Sequence, residues 1–485
     1  MCDTTTSKIT KFNFSRFEDE DEIYTKTPKN FQSLDLDSIK SSDAEQFKFR
    51  GLETYDQTPT ATGPMKIIQS GTISSSTLVL VSTSLGVGVL SLPYAFQQTG
   101  LLNGIVALLM GGFIYWWFLR VLVEASYKLG THEFSETVSR TLGKRGAKLF
   151  QLAFIIYIIG CLINYQITAA SFVTNLLVQL DYHAEEALHA HSNFSNFRVL
   201  IIALCNLACI LPVSLAKSLY HLRHTSALIV GVVIYTIIII LIQAPSYIAN
   251  ANEADQGILW TCFNPSIFST FAVMLFAYNC NTNLFPIRME LNSPTENRMK
   301  RICDRTISTD GFIFGVISVV SYLSFRGSTT PIITDRPALP GTTDIFMNIS
   351  RILLCLSVMF SIAIRIHPCR QQILFLWGLG KEEHHHGYLN NLLTILLVSV
   401  SALIAMIFPS VYDSVTIVGG YGTVLTGILI PGMVYLASTK ADRPMMKTLI
   451  TYLLMVLGTL MGFTAATFTL LKRLDLYRVP ECGNA

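Results

Sequence analysis

Residues 72–96 read TISSSTLVLVSTSLGVGVLSLPYAF, an apolar run of membrane length interrupted at its centre by Gly86-Val87-Gly88 and again by Pro93. A simple anchor is most regular there. In hydrocarbon the backbone amides must find partners within the protein, so an unwound turn at mid-depth survives only where protein or a water-filled cavity surrounds it. The freed groups can then bind a ligand. Small residues also let transmembrane helices pack closely, and on this stretch alone that reading stands beside the first.

The rest of the 485 residues sets the context: 51% are hydrophobic and 14% charged, with a mean hydropathy of +0.47. That composition describes a polytopic membrane protein rather than a string of soluble domains. Apolar stretches of about 20 residues recur at 72–96, 103–124, 149–180, 197–216, 225–247, 264–288, 310–326, 344–366, 391–408, 411–437 and 446–470. Eleven spans are expected. Basic residues mark one side, because Lys and Arg are retained in the cytoplasm. Lys128, Arg140, Lys144, Arg145 and Lys148 follow span two, and Arg298, Lys300, Arg301 and Arg305 follow span six. Loops 97–102, 181–196 and 248–263 carry neither Lys nor Arg. This alternation predicts a cytoplasmic amino terminus and a non-cytoplasmic carboxyl terminus. The acceptor pattern Asn193-Phe194-Ser195 falls on the non-cytoplasmic side and marks Asn193 as a candidate glycosylation site.

Residues 1–70 are polar, without apolar period, and read as a disordered cytoplasmic tail open to signalling or sorting partners through its acidic run Glu18 to Glu22. The domain expectation is a tail at 1–70, a ten-helix core at 71–437, and an eleventh helix with a short non-cytoplasmic end at 438–485. No cofactor is implied. The net charge of +3 says nothing of nucleic acid, and the ten cysteines lie mostly inside spans, with a Cys262–Cys482 bridge the one pairing that topology permits. His384-His385-His386 reads as a solvated loop.

A second polar interruption decides the matter. Span six contains Phe276-Ala277-Tyr278-Asn279-Cys280-Asn281-Thr282-Asn283 ahead of Pro286. Three asparagines there cannot face lipid cheaply. Spans one and six lie five elements apart, as in two inverted five-helix repeats that each open on a broken helix. Half-helix amino ends suit a carboxylate, and exposed carbonyls suit a cation or an ammonium group. Together they describe a receptor for a zwitterion such as an α-amino acid. The candidate substrate contacts are Gly86, Val87, Gly88, Asn164, Tyr165, Ala277, Tyr278 and Asn281, where Asn164 and Tyr165 come from span three.

Glu124, Glu290, Asp310, Asp344 and Asp413 all fall at expected span ends. A co-transported ion at mid-depth would then meet neutral oxygens, which suits Na+ better than H+. Candidates for sodium are the carbonyls around Ser82 and Leu85 with the hydroxyls of Ser357 and Ser361, and hydroxyls bonded back to their own helix are the alternative. Arg365, near the end of span eight, is expected to snorkel to the interface, with a gate contact as the second reading. No P-loop, activated nucleophile or dinucleotide fingerprint occurs, so an enzyme is not expected.

At these residues the chain resembles the amino acid/auxin permease family, particularly its sodium-coupled neutral amino-acid transporter branch. The likeness rests on Gly86 to Tyr94 with Gly100, Gly160 to Tyr165, Phe276 to Arg288 with Glu290-Leu291, Ser321 to Phe325, His367 to Arg370, and Val418 to Gly432. The resemblance implies an all-α polytopic protein with a LeuT-like 5+5 inverted-repeat core plus an eleventh helix, importing amino acids by alternating access. Sodium-coupled members carry Asn where this chain has Ser82 and Thr where it has Ser361. Vacuolar and lysosomal members share the fold, so plasma membrane and vacuole or lysosome both remain open, as does proton coupling. An amino-acid sensor signalling through the tail is the rival reading from another class.

Overall fold

The computed structural model describes residues 71–179, 196–215, 222–250, 257–338, 344–378, 387–408, 410–438 and 444–476. The tail at 1–70, Asn193, His384 to His386 and Cys482 lie outside them. Helix α1 (Ile73–Ser84) opens with Ser75 N–H donating to the Thr72 hydroxyl, and α2 (Val87–Thr99) follows at a bend of 57°. The break therefore falls at Leu85 and Gly86. Pro93, expected to interrupt the run a second time, sits inside α2 without ending it. Buried neighbours let a membrane helix tolerate such a proline.

Long helices α3 (Leu101–Leu129) and α4 (Phe134–Gln179) come next, the latter kinked at Gly143, whose φ is 75°. Helices α5 (Asn196–Cys205) and α6 (Leu211–Leu215) join through a π turn, and α7 (Leu222–Ala249) ends the first half. The second half repeats the broken opening. Helix α8 (Ser266–Ala277) stops at Tyr278, a 3-10 turn spans Asn281–Asn283, and α9 (Leu284–Glu290) resumes. Pro286 occupies the first turn of α9, where its missing N–H goes unnoticed. The chain then runs through α10 (Glu296–Phe325), α11 (Ile345–Leu376), α12 (Gly387–Ile407), α13 (Val411–Ile417), a π stretch at Val418–Leu429, α14 (Ile430–Ser438) and α15 (Met445–Arg473).

Among the described residues, eight helices are long and apolar enough to cross a membrane, or nine when the bent α1–α2 pair is one span. Two of the eleven expected spans fall short by length alone. The fourth is the shorter apolar helix Val199–Leu215, and the sixth is divided between α8 and α9. Exposed leucines and isoleucines such as Leu149, Leu152 and Ile156 on α4, and Leu449, Leu453 and Leu460 on α15, give these helices lipid-ready outer faces.

One expectation fails. The apolar run starts at Asp310 and so puts it at a span end, yet α10 begins at Glu296, which leaves Asp310 at mid-helix with no exposed surface. The first turns of α10 carry Arg298, Lys300, Arg301, Asp304 and Arg305, so the helix outruns its hydrophobic part. The other acids do sit at ends: Asp344 caps α11 through Met347 N–H, and Glu124 meets Lys128, Lys300 and Lys447.

Helix α4 packs on α11 and α12, α2 on α8, and α3 on α10, while α15 lies against α8 and the π stretch. One end of the bundle is laced by backbone bonds, from Leu101 N–H to Leu259 O and from Cys262 N–H to Thr99 O. Cys262 is disulfide-bonded. At the same end the segment after α10 buries Ile332, Ile333 and Thr334 against α2 and α4.

Candidate functional site

The two breaks touch. A Cβ built on Gly88 would stand 2.9 Å from Phe276 Cδ1 and 3.1 Å from Ala277 Cα, so only glycine permits this approach of span one to span six. Gly86 is held as closely on its other side, with the Tyr165 hydroxyl 2.6 Å from its notional Cβ. Asn283 in the second break donates its side-chain amide to the Thr83 hydroxyl at 2.7 Å, joining the breaks directly. The other two asparagines brace the second break against the π stretch. Asn279 donates to Thr423 and accepts from the Tyr115 hydroxyl, and Asn281 donates to the Thr426 carbonyl at 2.8 Å.

Beside the break lies a cavity lined by Ser82, Thr83, Tyr165, Asn283, Ser361 and Arg365, among others. It measures about 30 Å³, room for about two waters and too small for an amino acid. The Arg365 guanidinium forms part of its wall. Rather than snorkelling, it turns inward, donating through Nε to the Tyr165 hydroxyl and through Nη2 to the Thr83 carbonyl, each at 3.1 Å. It also sits 5.1 Å from the Tyr165 ring centroid. A cation held by one aromatic hydroxyl and one helix-end carbonyl is well placed, because α1 ends there with its negative dipole.

Of the eight expected substrate contacts, only Tyr165 reaches this cavity. Gly86, Val87, Gly88 and Ala277 form the packed seam between the breaks, and Tyr278 turns toward Phe314, ring centroids 5.0 Å apart. Asn164 is wholly buried with neither side-chain polar atom partnered, and Asn281 leaves its Oδ1 unpartnered. Buried amides usually find a partner, in protein or in ordered water. Of the four expected sodium ligands, Ser82 and Ser361 share the cavity, whereas Leu85 and Ser357 are buried outside its lining. Each of the three serine hydroxyls also donates back to its own helix, to Val79, Leu354 and Ser357 carbonyls. Their lone pairs stay available.

Sequence reasoning missed Thr83, Asn283, Ser84 and Asp310. Asn283 was visible in the polar run, and Thr83 borders the break. Nothing in the sequence linked Ser84 to Asp310, which lie 226 positions apart and meet at 2.7 Å.

The geometry has parallels among known proteins. The structure of MhsT in complex with L-phenylalanine aligns over 84% of this chain and 99% of its own, with a TM-score of 0.51 at 12% identity. A manganese transporter of Eremococcus coleocola gives the same score over 83% of this chain and 89% of its own, at 9% identity. Those likenesses establish the fold as an all-α, LeuT-like core. In sequence, the chain is similar to Vacuolar amino acid transporter 5 of Schizosaccharomyces pombe, 23% identical over 78% of this chain and 87% of that one. It is also similar to the protein named Putative sodium-coupled neutral amino acid transporter 11 of Mus musculus, 22% identical over 76% of this chain and 79% of that one. A match to the protein named Putative amino acid transporter AAT1 of Toxoplasma gondii, 24% identical over 64% of this chain, spans 41% of that longer protein. Residues 69–473 match the model of the family described as transmembrane amino acid transporter protein, and the chain belongs to that family.

Proposed function

We propose that this chain carries neutral amino acids across a membrane by ion-coupled secondary active transport, exposing a site at the two breaks alternately to each side. The observation that carries this reading is the contact of two interrupted helices at Gly88 and Ala277, with the Tyr165 hydroxyl of span three against Gly86. The amino end of α2 offers N–H groups at Val87 and Gly88 to a carboxylate, and the carbonyl end of α1 suits an ammonium group. Neutral substrates fit because the one cation at the cavity, Arg365, is already engaged by Tyr165 and Thr83. The names of the mouse and fission yeast relatives support amino acids as the cargo.

In this reading residues 1–70 form a cytoplasmic tail, 71–437 the ten-helix core and 438–485 an eleventh span with a non-cytoplasmic end, and Asn193 carries a glycan on that same side. A membrane potential supplies about 2.3 kcal/mol per charge per 100 mV and a tenfold ion gradient about 1.4 kcal/mol. Together they support accumulation of several hundredfold.

For the ion, Ser82 and Ser361 in one cavity support sodium. Two observations favour the proton instead. Arg365 places a fixed positive charge in the cavity those serines share, and Asp310 places a carboxyl against the break. Labelled neutral amino acids offered to liposomes containing the full chain, under a sodium gradient or a pH gradient, test both levels. Accumulation driven by the pH gradient is expected. No accumulation of any neutral amino acid under either gradient would refute the transporter reading.

A further inference from the structure

Asp310 stands at the middle of α10 with no exposed surface, and its Oδ1 has no hydrogen-bond partner. Its Oδ2 lies 2.7 Å from the hydroxyl of Ser84, the last residue of α1 before the break. That hydroxyl also lies 2.7 Å from the Val81 carbonyl. A serine hydroxyl has one proton to donate, and both of these neighbours are acceptors when Asp310 is ionised. One contact must then go unbonded. When Asp310 carries a proton, its carboxyl donates to Ser84 and Ser84 donates to Val81, so both contacts become hydrogen bonds.

The surroundings agree with the proton count, since a buried charge is costly unless paired and no arginine, lysine or histidine among the described residues bears on Asp310. From the second break, Tyr278 and Cys280 face it, and neither supplies a cation at neutral pH. Helix α1 brings no titratable group. On α2, Tyr94 packs instead on the Tyr412 ring, and on α7, Tyr235 and Tyr247 bond to Phe346 and Pro337 carbonyls. On α3, Tyr115 is taken by Asn279 and Arg120 by Asp304, which lies six residues before Asp310, about 9 Å along the helix. Arg365 reaches the break too, but at the Thr83 carbonyl.

A groove opens on the neighbouring face of α10, and Asp310 itself is not in its lining. It measures about 530 Å³ and runs between α1, α7 and α10, its lining mostly apolar through Leu78, Val81, Ile234 and Ile313, with Thr77 and Ser308 among its polar members. It passes along the turn of α10 that holds Asp310, from the end bearing Asp304 and Arg305.

We propose that Asp310 carries the coupled proton, with Ser84 as its partner at the break of span one. Proton binding closes the end of α1 on α10. Release of the proton to water, on the side to which the break opens, leaves an unpaired carboxylate that favours α1 staying swung away. This rests on the transporter reading and adds the residue that takes up and releases the ion.

The full-length chain in liposomes decides it through two readouts, exchange of labelled for unlabelled amino acid without a gradient, and accumulation under an imposed pH difference. Wild type is expected to exchange, and to accumulate up to about tenfold per pH unit for one proton per substrate. Asp310→Asn, fixed in the neutral form, is expected to retain exchange and to lose the pH-driven part entirely. Asp310→Asn that still accumulates under the pH difference overturns the proposal, as does wild type driven by sodium and indifferent to pH. Should Asp310→Asn also lose exchange, Ser84→Ala decides: a shifted pH midpoint of exchange supports the assignment and an unchanged one overturns it. Absence of exchange in wild type would instead sink the transporter reading itself.

Discussion

Arg365 on α11 donates to the carbonyl of Thr83, the penultimate residue of α1, at 3.1 Å. Its second bond, to the Tyr165 hydroxyl, makes one guanidinium the joint between spans one, three and eight. Hydrogen bonds to charged groups contribute about 1.5–3 kcal/mol each. Arg365→Ala should therefore lower amino-acid exchange at least tenfold with the amount of folded protein unchanged. Arg365→Lys should recover little, because a single ammonium cannot reproduce the two-pronged geometry. Exchange equal to wild type in Arg365→Lys would show that only the charge matters.

Gly86 meets the same joint from the other side. Adding a methyl group brings its Cβ to 2.6 Å from the Tyr165 oxygen but 3.4 Å from the ring carbon bearing it, so the clash is with the hydroxyl alone. Overpacking of this kind costs about 1–3 kcal/mol. Gly86→Ala is expected to lose transport, and adding Tyr165→Phe should restore part of it despite removing the Arg365 bond. The check is a double-mutant cycle on initial uptake rates. Strict additivity would mean that the two residues do not interfere.

Both breaks were legible because each places an unsuitable residue type in an apolar run, glycines in one and asparagines in the other. Rotation about a helix is not legible in that way. Arg365 sits near a span end, so its length allowed it to reach either water or the core, and only the packing of α4 beside α11 brings Tyr165 within its reach. Asp310 was hidden for a different reason. Hydropathy marks where an apolar run starts, whereas Thr295, through its hydroxyl, starts the helix 14 to 15 residues earlier and carries the charged turns with it. The sequence shows the Asn164 amide as a polar group in an apolar run, but its burial and its lack of partners are properties of the assembled core.

Two ion pairs of the same kind should behave differently. Arg336 and Asp344 meet at 3.0 Å with side chains 1% and 7% exposed, and Arg336 also stacks 4.4 Å from the Tyr247 ring centroid. Removing one partner of such a buried pair leaves the other uncompensated, at about 3–5 kcal/mol. Arg120 and Asp304 meet at 2.9 Å but are 36% and 39% exposed, where a pair contributes about 0–1 kcal/mol. Arg336→Ala should thus lower the thermal midpoint in detergent by many degrees, and Arg120→Ala hardly at all. Equal shifts would contradict the burial argument.

Asp335 lies in the short 3-10 turn Ile333–Asp335, between α10 and α11. Burial pushes its carboxyl up to about 6, against the Ser171 hydroxyl donating at 2.7 Å and the nearby Arg351, both of which favour the ionised form. The folded protein therefore holds this proton more tightly than the unfolded chain, whose carboxyl titrates near 3.8. Below about pH 4 both states are protonated and the group contributes no pH dependence. Between about 4 and 6 only the folded state keeps the proton, so the contribution of Asp335 to stability falls as pH rises, and it levels off above about 6. Thermal midpoints of wild type and Asp335→Asn should consequently diverge across that window, with the variant the more stable at pH 7. Parallel curves from pH 4 to 7 would mean that Asp335 titrates in the folded protein as it does in an unfolded one.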